Sequence, residues 1–162
     1  MRRKKHLLFF EKFSGALSYV ADRPEDSRAT LVIDANSIVC RDTWLNAKKQ
    51  QSLIQYAKHE ALVVDGHSDI RFSSTRISAK ALRGFVVEGE LKICDISRMV
   101  KVNVVINEKK HDTFQVDGDA ALCLSDFDIK PPSSLFGLAG TKDEALVRIL
   151  LWATPAGRAP LH

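Results

Sequence analysis

Long apolar runs are what this chain of 162 residues most plainly lacks. A membrane-spanning helix takes about 20 consecutive apolar residues, and no stretch approaches that length, so no transmembrane segment is expected. A secretory leader is missing as well. Arg2, Arg3, Lys4 and Lys5 supply a charged start, but the run Leu7-Leu8-Phe9-Phe10 is cut off by Glu11-Lys12, well short of the roughly 7 to 15 apolar residues of such a leader. Cysteine is scarce. Cys40, Cys94 and Cys123 are odd in number, and no two are spaced as a C-x-x-C redox or zinc half-site. All three are expected to be small buried apolar residues, with any pairing left to the fold.

The usual signatures of catalysis are missing too. The histidines, His6, His59, His67, His111 and His162, are far apart, so neither H-E-x-x-H nor an i, i+4 pair exists to hold zinc. No G-x-S-x-G elbow, phosphate loop or dinucleotide-binding glycine fingerprint is present. His67-Ser68-Asp69 cannot form a triad among themselves, because adjacent residues on a strand point to opposite faces. The expectation is a protein that is not an enzyme, with no catalytic residue, no metal ligand and no cofactor.

Charge is present in both signs. A formal net charge of +4 and a pI of about 9.0 imply a mild attraction for anions, but beyond the N-terminal cluster the basic residues are scattered. That cluster reads as a solvated tail. Binding of single-stranded nucleic acid would need aromatics interleaved with basic residues on one sheet face. Phe72 beside Arg71 and Arg76 is the one hint, so no nucleic-acid partner is expected. With 45% hydrophobic and 27% charged residues and no internal repeat, the chain suits one compact domain.

What is present in abundance is alternation with period two, the mark of half-buried strands. In "FVVEGELKI", residues 85–93, Phe85, Val87, Gly89, Leu91 and Ile93 share one face, and Val86, Glu88, Glu90 and Lys92 the other. After the connection "CDISRM", Val100, Val102, Val104 and Ile106 repeat the pattern, so the two runs make a hairpin. Strands are also expected at 29–35, 69–75, 120–127 and 144–153, with an early pair, "LLFFEKF" and "ALSYV", flanking a bulge or bend at Ser14-Gly15. About eight short strands predict a barrel or sandwich. Residues 42–61 break the period: without Gly or Pro, they predict a single helix that Asp42 caps, with Trp44, Ala47, Ile54, Ala57 and Ala61 near one stripe. Pro131-Pro132, after "DFDI" at 126–129, remove two consecutive backbone donors and predict a stiff bend at a barrel rim.

Four blocks, in this order, resemble the YceI-like, polyisoprenoid-binding family. "FSGALSYV" followed by "LVIDANSI" is similar to the family's F-x-G-x-L strand and I-D-x-x-S-I strand end, at Ile33, Asp34, Ser37 and Ile38. "DIRFSST" resembles its I-x-F-x-S-T strand at Ile70, Phe72, Ser74 and Thr75. "VEGELKICDISRMVKVNV" resembles its G-x-L-T-I hairpin at Gly89, Leu91, Ile93, Ile96, Arg98 and Val100. "DFDIKP" is similar to its D-F-G-I-K-P bend, with Asp128 in place of Gly, and Lys142-Asp143-Glu144 lead into the last strand. Ser68, Asp95 and Met99 also depart from the family pattern, which carries Pro, Gly and Pro there. Only twelve residues precede Phe13, where the family places an additional strand.

The resemblance implies an all-β, lipocalin-like antiparallel β-barrel of about eight strands with one inserted α-helix, the first strand being absent or truncated. Residues 1–12 would be a basic segment or the remnant of that strand, 13–153 the barrel domain, and 154–162 a disordered tail. It further implies an isoprenoid-type lipid, a polyprenyl chain or isoprenoid quinone, held in the lumen by a carrier, storage or stress-related protein. The chain would be a monomer or homodimer. Family members are typically periplasmic; a genuine start without a leader would place this one in the cytoplasm. The ligand-facing residues expected are Phe85, Val87, Leu91, Val102, Val104, Ile106, Leu122, Leu124 and Phe127, with Arg98 at the mouth. Arg71 and Lys130 are further candidates for an anionic head group. The competing reading of the apolar stripe is a barrel packed shut by its own side chains. The rival functions are an enzyme using the barrel mouth and a weak anionic-polymer binding module.

Overall fold

The computed structural model describes residues 6–81, 83–130 and 143–155, without the side chain of Ala81. In chain order the elements are β1 (Leu8–Phe10), β2 (Phe13–Ser18), β3 (Arg28–Asp34), β4 (Ile38–Cys40), α1 (Ala47–Tyr56), β5 (Asp69–Ala81), β6 (Gly84–Ile93), β7 (Ile96–Glu108), β8 (Phe114–Cys123) and β9 (Glu144–Ala153). Seven of them build one sheet in the order β2-β3-β5-β6-β7-β8-β9, and β1 pairs only with β4 in a separate ribbon. Every neighbouring pair in the large sheet is antiparallel. The sheet curls into a half-barrel with the helix at one end. The architecture is the expected lipocalin-like, mostly-β class. It is not walled all round, because among the described residues no strand lies against the free edges of β2 and β9.

The central hairpin follows the alternation of its sequence. Phe85, Val87, Leu91 and Ile93 on β6 face Val104, Val102, Arg98 and Ile96 on β7 in register. Its connection is tighter than "CDISRM" suggested: β6 ends at Ile93, β7 starts at Ile96, and Cys94 takes a left-handed φ of 54°. β5 is longer than expected and carries a register shift between Ser74 and Arg76. There the buried Ser74 hydroxyl accepts from the Ala29 amide at 2.8 Å, tying β5 to the start of β3.

Several expectations need correcting. Ser14-Gly15 form no bend: β2 runs straight through them, paired with Val32 and Leu31. Gly15 is required there because a Cβ would stand 2.5 Å from the Thr30 carbonyl oxygen of β3. The helix is shorter than 42–61. It starts after Asn46, whose side chain accepts from the Lys49 amide at 2.9 Å, and ends in a π-type turn over Ala57–Ala61. Asp42 is buried instead of capping, and accepts from the Leu7 amide at 3.0 Å while His6 lies 2.9 Å away. Trp44 is exposed, and the helix buries Leu53 against Cys40 and Leu45.

The strand expected at 120–127 lies earlier, at Phe114–Cys123, and Leu124–Phe127 form a 3-10 turn. That turn ends on Asp128 at φ 55°, a conformation that Gly adopts most readily and that Asp tolerates better than most side chains. The departure from the family's Gly is thereby accommodated. Pro131-Pro132 and Lys142 lie outside the described residues, as does the expected tail beyond Pro155.

Candidate functional site

The inner, concave face of the sheet collects the apolar half of every strand and divides into two clusters. One lies beneath the helix and is the closed one: Ala35, Ile38, Ala57, Leu62, Ile70 and Ile93 are buried there together with Val64, Phe127 and Ile129, and half-buried residues of the helix, of β1 and of the Leu124–Phe127 turn (Ile54, Phe10 and Leu124) pack against them. The other lies further along the sheet. Ile77, Phe85, Val87, Val102 and Ala120 form its buried base, and Phe72, Val104, Ile106, Val147 and Ile149 pack against them half-buried. Between the two sits Gly89, where a Cβ would meet the Phe72 ring at 2.6 Å and the Ser73 carbonyl at 2.5 Å. The Phe72 ring thus occupies the space over Gly89 and marks the border between the ends.

The sheet also parts locally. β7 and β8 are laddered only from Asn103 to Glu108 against Asp119 to Phe114. Beyond that ladder a cleft of about 360 Å³ opens, with Arg98 to Lys101 on one wall and Ala120 to Cys123 on the other, and Asp126 and Phe127 also lining it. A second cleft of about 390 Å³ adjoins it, lined by Ala121, Leu122, Cys123, Asp143 and Glu144.

The expected site residues distribute unevenly over this geometry. Phe85, Val87, Val102, Val104 and Ile106 meet in the open cluster as the alternation required. Leu91 packs instead against the closed cluster. Leu122 and Arg98 meet across the β7–β8 cleft, with Phe127 beside them. Leu124 and Phe127 depart from the expectation of a ligand-facing strand, because the 3-10 turn carries both into the closed cluster. The inner-face residues Phe72, Ile77, Ala120, Val147 and Ile149 are not among the ligand-facing residues expected from the sequence. The strict alternation of "EALVRILLWA", with Ala145, Val147, Ile149 and Leu151 on one side, was the signal for the last strand.

Of the three cations considered for a head group, Arg98 alone has a place on the inner register, opposite Leu91. Its guanidinium is exposed and donates to the Ser97 carbonyl at 2.9 Å. Arg71 sits on the outer face opposite Val32 and is held by Asp69 at 2.8 Å. Lys130 is exposed, and its backbone carbonyl accepts from the Tyr56 hydroxyl. Burial pushes the thiols of Cys40 and Cys94 above their ordinary pKa, which suppresses the reactive thiolate. Cys123 is exposed, contrary to expectation, and donates to Asp143 at 2.8 Å. Among the described residues no three His, Cys, Asp or Glu side chains gather as a metal site, and no helix is long and apolar enough to cross a membrane.

A half-barrel with an apolar concave face and an inserted helix defines a lipocalin-like class of fold. The model of the YceI-like domain matches residues 4–151, and the chain belongs to that family. Solved structures agree on the fold. BcnA of Burkholderia cenocepacia superposes with a TM-score of 0.74 at 21% identity, over 91% of this chain and 87% of that one. A Campylobacter jejuni YceI protein gives 0.69 at 14% identity, over 94% and 86%. A domain from Saccharophagus degradans, described as polyisoprenoid binding and implicated in plant cell wall breakdown, gives 0.64 at 13% identity, over 91% and 85%. A search of the curated proteins found no match.

Proposed function

We propose that the concave face binds one long apolar chain of isoprenoid type, a polyprenyl tail or the tail of an isoprenoid quinone, in a carrier, storage or stress-related role. The observation that carries this reading is the open cluster: among the described residues it is built from sheet strands alone, with no helix or turn across it, and Phe72, Val104, Ile106, Val147 and Ile149 face inward from β5, β7 and β9 only half-buried. Membership of the YceI-like family supports it, as does the fold shared with a domain described as polyisoprenoid binding. Removing each methylene of a slender tail from water contributes about 0.8 kcal/mol, so a strip of such side chains binds it without a charged partner. Arg98 lines the β7–β8 cleft together with Lys101, which supports a role for it in meeting an anionic head group.

Organic extraction or native mass spectrometry of the purified protein is expected to show a co-purifying prenyl lipid or quinone. Fluorescence titration with a polyprenyl phosphate follows Trp44 and Trp152, which are both exposed. Val104→Glu, on the inner face, should abolish the response, and Glu88→Gln, on the outer face opposite Lys101, should leave it unchanged. Equal responses from the two variants would remove the assignment of the concave face.

A further inference from the structure

The open cluster is not equally open across its width. In register, Ala79, Phe85, Val104, Gly118 and Ile149 form one row across the inner face, from β5 to β9. On the β5–β6 side Ile77, Phe85 and Val87 are only 5%, 8% and 7% exposed. On the β7–β9 side Val104, Ile106, Val147 and Ile149 stay half-buried beside a buried floor of Val102 and Ala120. Something covers the first side and leaves the second uncovered.

Over Phe85 that cover is Tyr19. Phe13, Gly15 and Leu17 take the inner positions of β2, opposite Ile33, Leu31 and Ala29, and Tyr19 continues the alternation one step past the last rung. Its ring meets Phe85 edge to face, with centroids 5.9 Å apart and planes at 84°, an arrangement that aromatic pairs prefer. β3 and β5 separate β2 from β6 in the sheet, so this contact reaches across the concave face instead of joining neighbouring strands. The backbone is held on both sides of the ring. Ser18 pairs with Arg28, and the Val20 amide donates to the hydroxyl of the fully buried Ser27 at 2.9 Å. The Arg28 guanidinium closes the loop by donating to the carbonyls of Glu25 and Ser27 at 2.9 and 2.7 Å. Tyr19 itself is 45% exposed, so it covers Phe85 with one edge and turns the rest toward the open side.

We propose that Tyr19 is a specificity-determining residue that narrows the open cluster to a single lane. Its ring walls off Phe85, and the bound chain lies over Val104, Ile106, Val147 and Ile149. A slender prenyl chain needs only that lane. A two-tailed lipid needs a second one, over Phe85, and the Tyr19 ring already occupies it. Phe85, expected from the sequence to face the ligand, becomes the seat of the wall. Tyr19 thus sets which class of lipid the proposed site takes, a role that rests on the lipid reading and deepens it.

The test is nuclear magnetic resonance and calorimetry of the full chain with geranylgeranyl phosphate and with dihexanoyl phosphatidic acid, which carry the same head-group chemistry on one chain and on two. In the unaltered protein, prenyl protons should give Overhauser contacts to the Tyr19 ring and to the methyls of Val104, Ile106, Val147 and Ile149, and none to the Phe85 ring. Tyr19→Ala should bring in contacts to Phe85 and raise the affinity for the two-tailed lipid, relative to the prenyl phosphate, at least about tenfold. Tyr19→Phe, which keeps the ring, should restore the original ratio; Tyr19→Ser serves if the alanine variant does not fold by circular dichroism. Contacts to Phe85 in the unaltered protein, or an unchanged ratio in a folded Tyr19→Ala or Tyr19→Ser variant, would overturn the proposal and leave the lipid reading standing. Failure of the unaltered protein to bind geranylgeranyl phosphate at all would instead remove the lipid reading, and the wall with it.

Discussion

The closed and open ends of the sheet are built from the same alternating apolar strands and differ in what lies across from them. At the closed end, α1, β4 and the turn Leu124–Phe127 supply side chains that lie over Ile70 and Ile93, and nine residues there are buried. Half-buried residues rim both ends, but among the described residues every member of the open cluster comes from the sheet itself, and no helix or turn contributes a side chain across from Phe72, Val104, Ile106, Val147 and Ile149. A period-two pattern states which side of a strand is apolar. Whether that side becomes core or contact surface depends on a partner contributed from elsewhere in the chain. The comparison teaches that, on the proposed reading, stability is concentrated at one end and ligand contact at the other.

The largest effect that tests this division is Phe127→Ala. Phe127 is 4% exposed inside the closed cluster, and truncating a buried Phe costs about 3–5 kcal/mol through lost burial and the cavity left behind. Val104→Ala, at a half-buried position of the open end, should cost less than about 1.5 kcal/mol, since only part of its side chain leaves water on folding. Urea unfolding of the two variants measures both. Equal losses would mean that the open end is as much a packed core as the closed one.

Gly89→Ala probes the border. The new methyl would collide with the Phe72 ring and with the Ser73 carbonyl, and the carbonyl belongs to the β5 backbone and cannot simply swing away. A destabilisation of about 1–3 kcal/mol is expected from such overpacking. Nuclear magnetic resonance shifts should move on β5 beside Phe72 and be smaller around Leu53 under the helix. Shifts confined to the closed end would place the border elsewhere.

Most of the sheet was legible because its signal is local. The hairpin Gly84–Ile93 to Ile96–Glu108, the strand at Asp69 and the last strand at Glu144 all carry alternation within one segment. The errors fall where a distant contact decides. "ALCLSDF" reads as a strand, but β8 ends at Cys123 and the Leu124–Phe127 turn packs on residues far away in sequence. Asp42 has the chemistry of a helix cap, yet it serves β1 through the Leu7 amide, and Asn46 caps instead. The candidate site was half legible for the same reason. Val102, Val104 and Ile106 follow from the pattern of one strand, whereas Phe72 over Gly89 and the β7–β8 cleft depend on register and on where a ladder stops. The odd strand count, which makes β2 and β9 run the same way, is a property of the whole topology.

The smallest expected effect concerns how the closed end is fastened. Asp143, just before β9, accepts from the Cys123 thiol at 2.8 Å, the Ser125 amide at 2.7 Å and the Ser125 hydroxyl, clasping the turn that carries Phe127. The Cys123 thiol first, and then the hydroxyl and amide of Ser125, hold the Asp143 carboxyl below its ordinary range. Because the folded-state pKa is the lower one, the unfolded chain takes up the proton more readily. The clasp's contribution is therefore complete above the free aspartate value of about 3.9 and fades as pH falls through the depressed one. The Ser125 amide resonance should titrate with a midpoint below about 3.9, and Asp143→Asn should flatten that titration. The carboxylate is exposed, so global stability should change little while the turn loosens. A midpoint at or above the free value would mean that the clasp does not hold the turn, and that Phe127 keeps the closed end shut by packing alone.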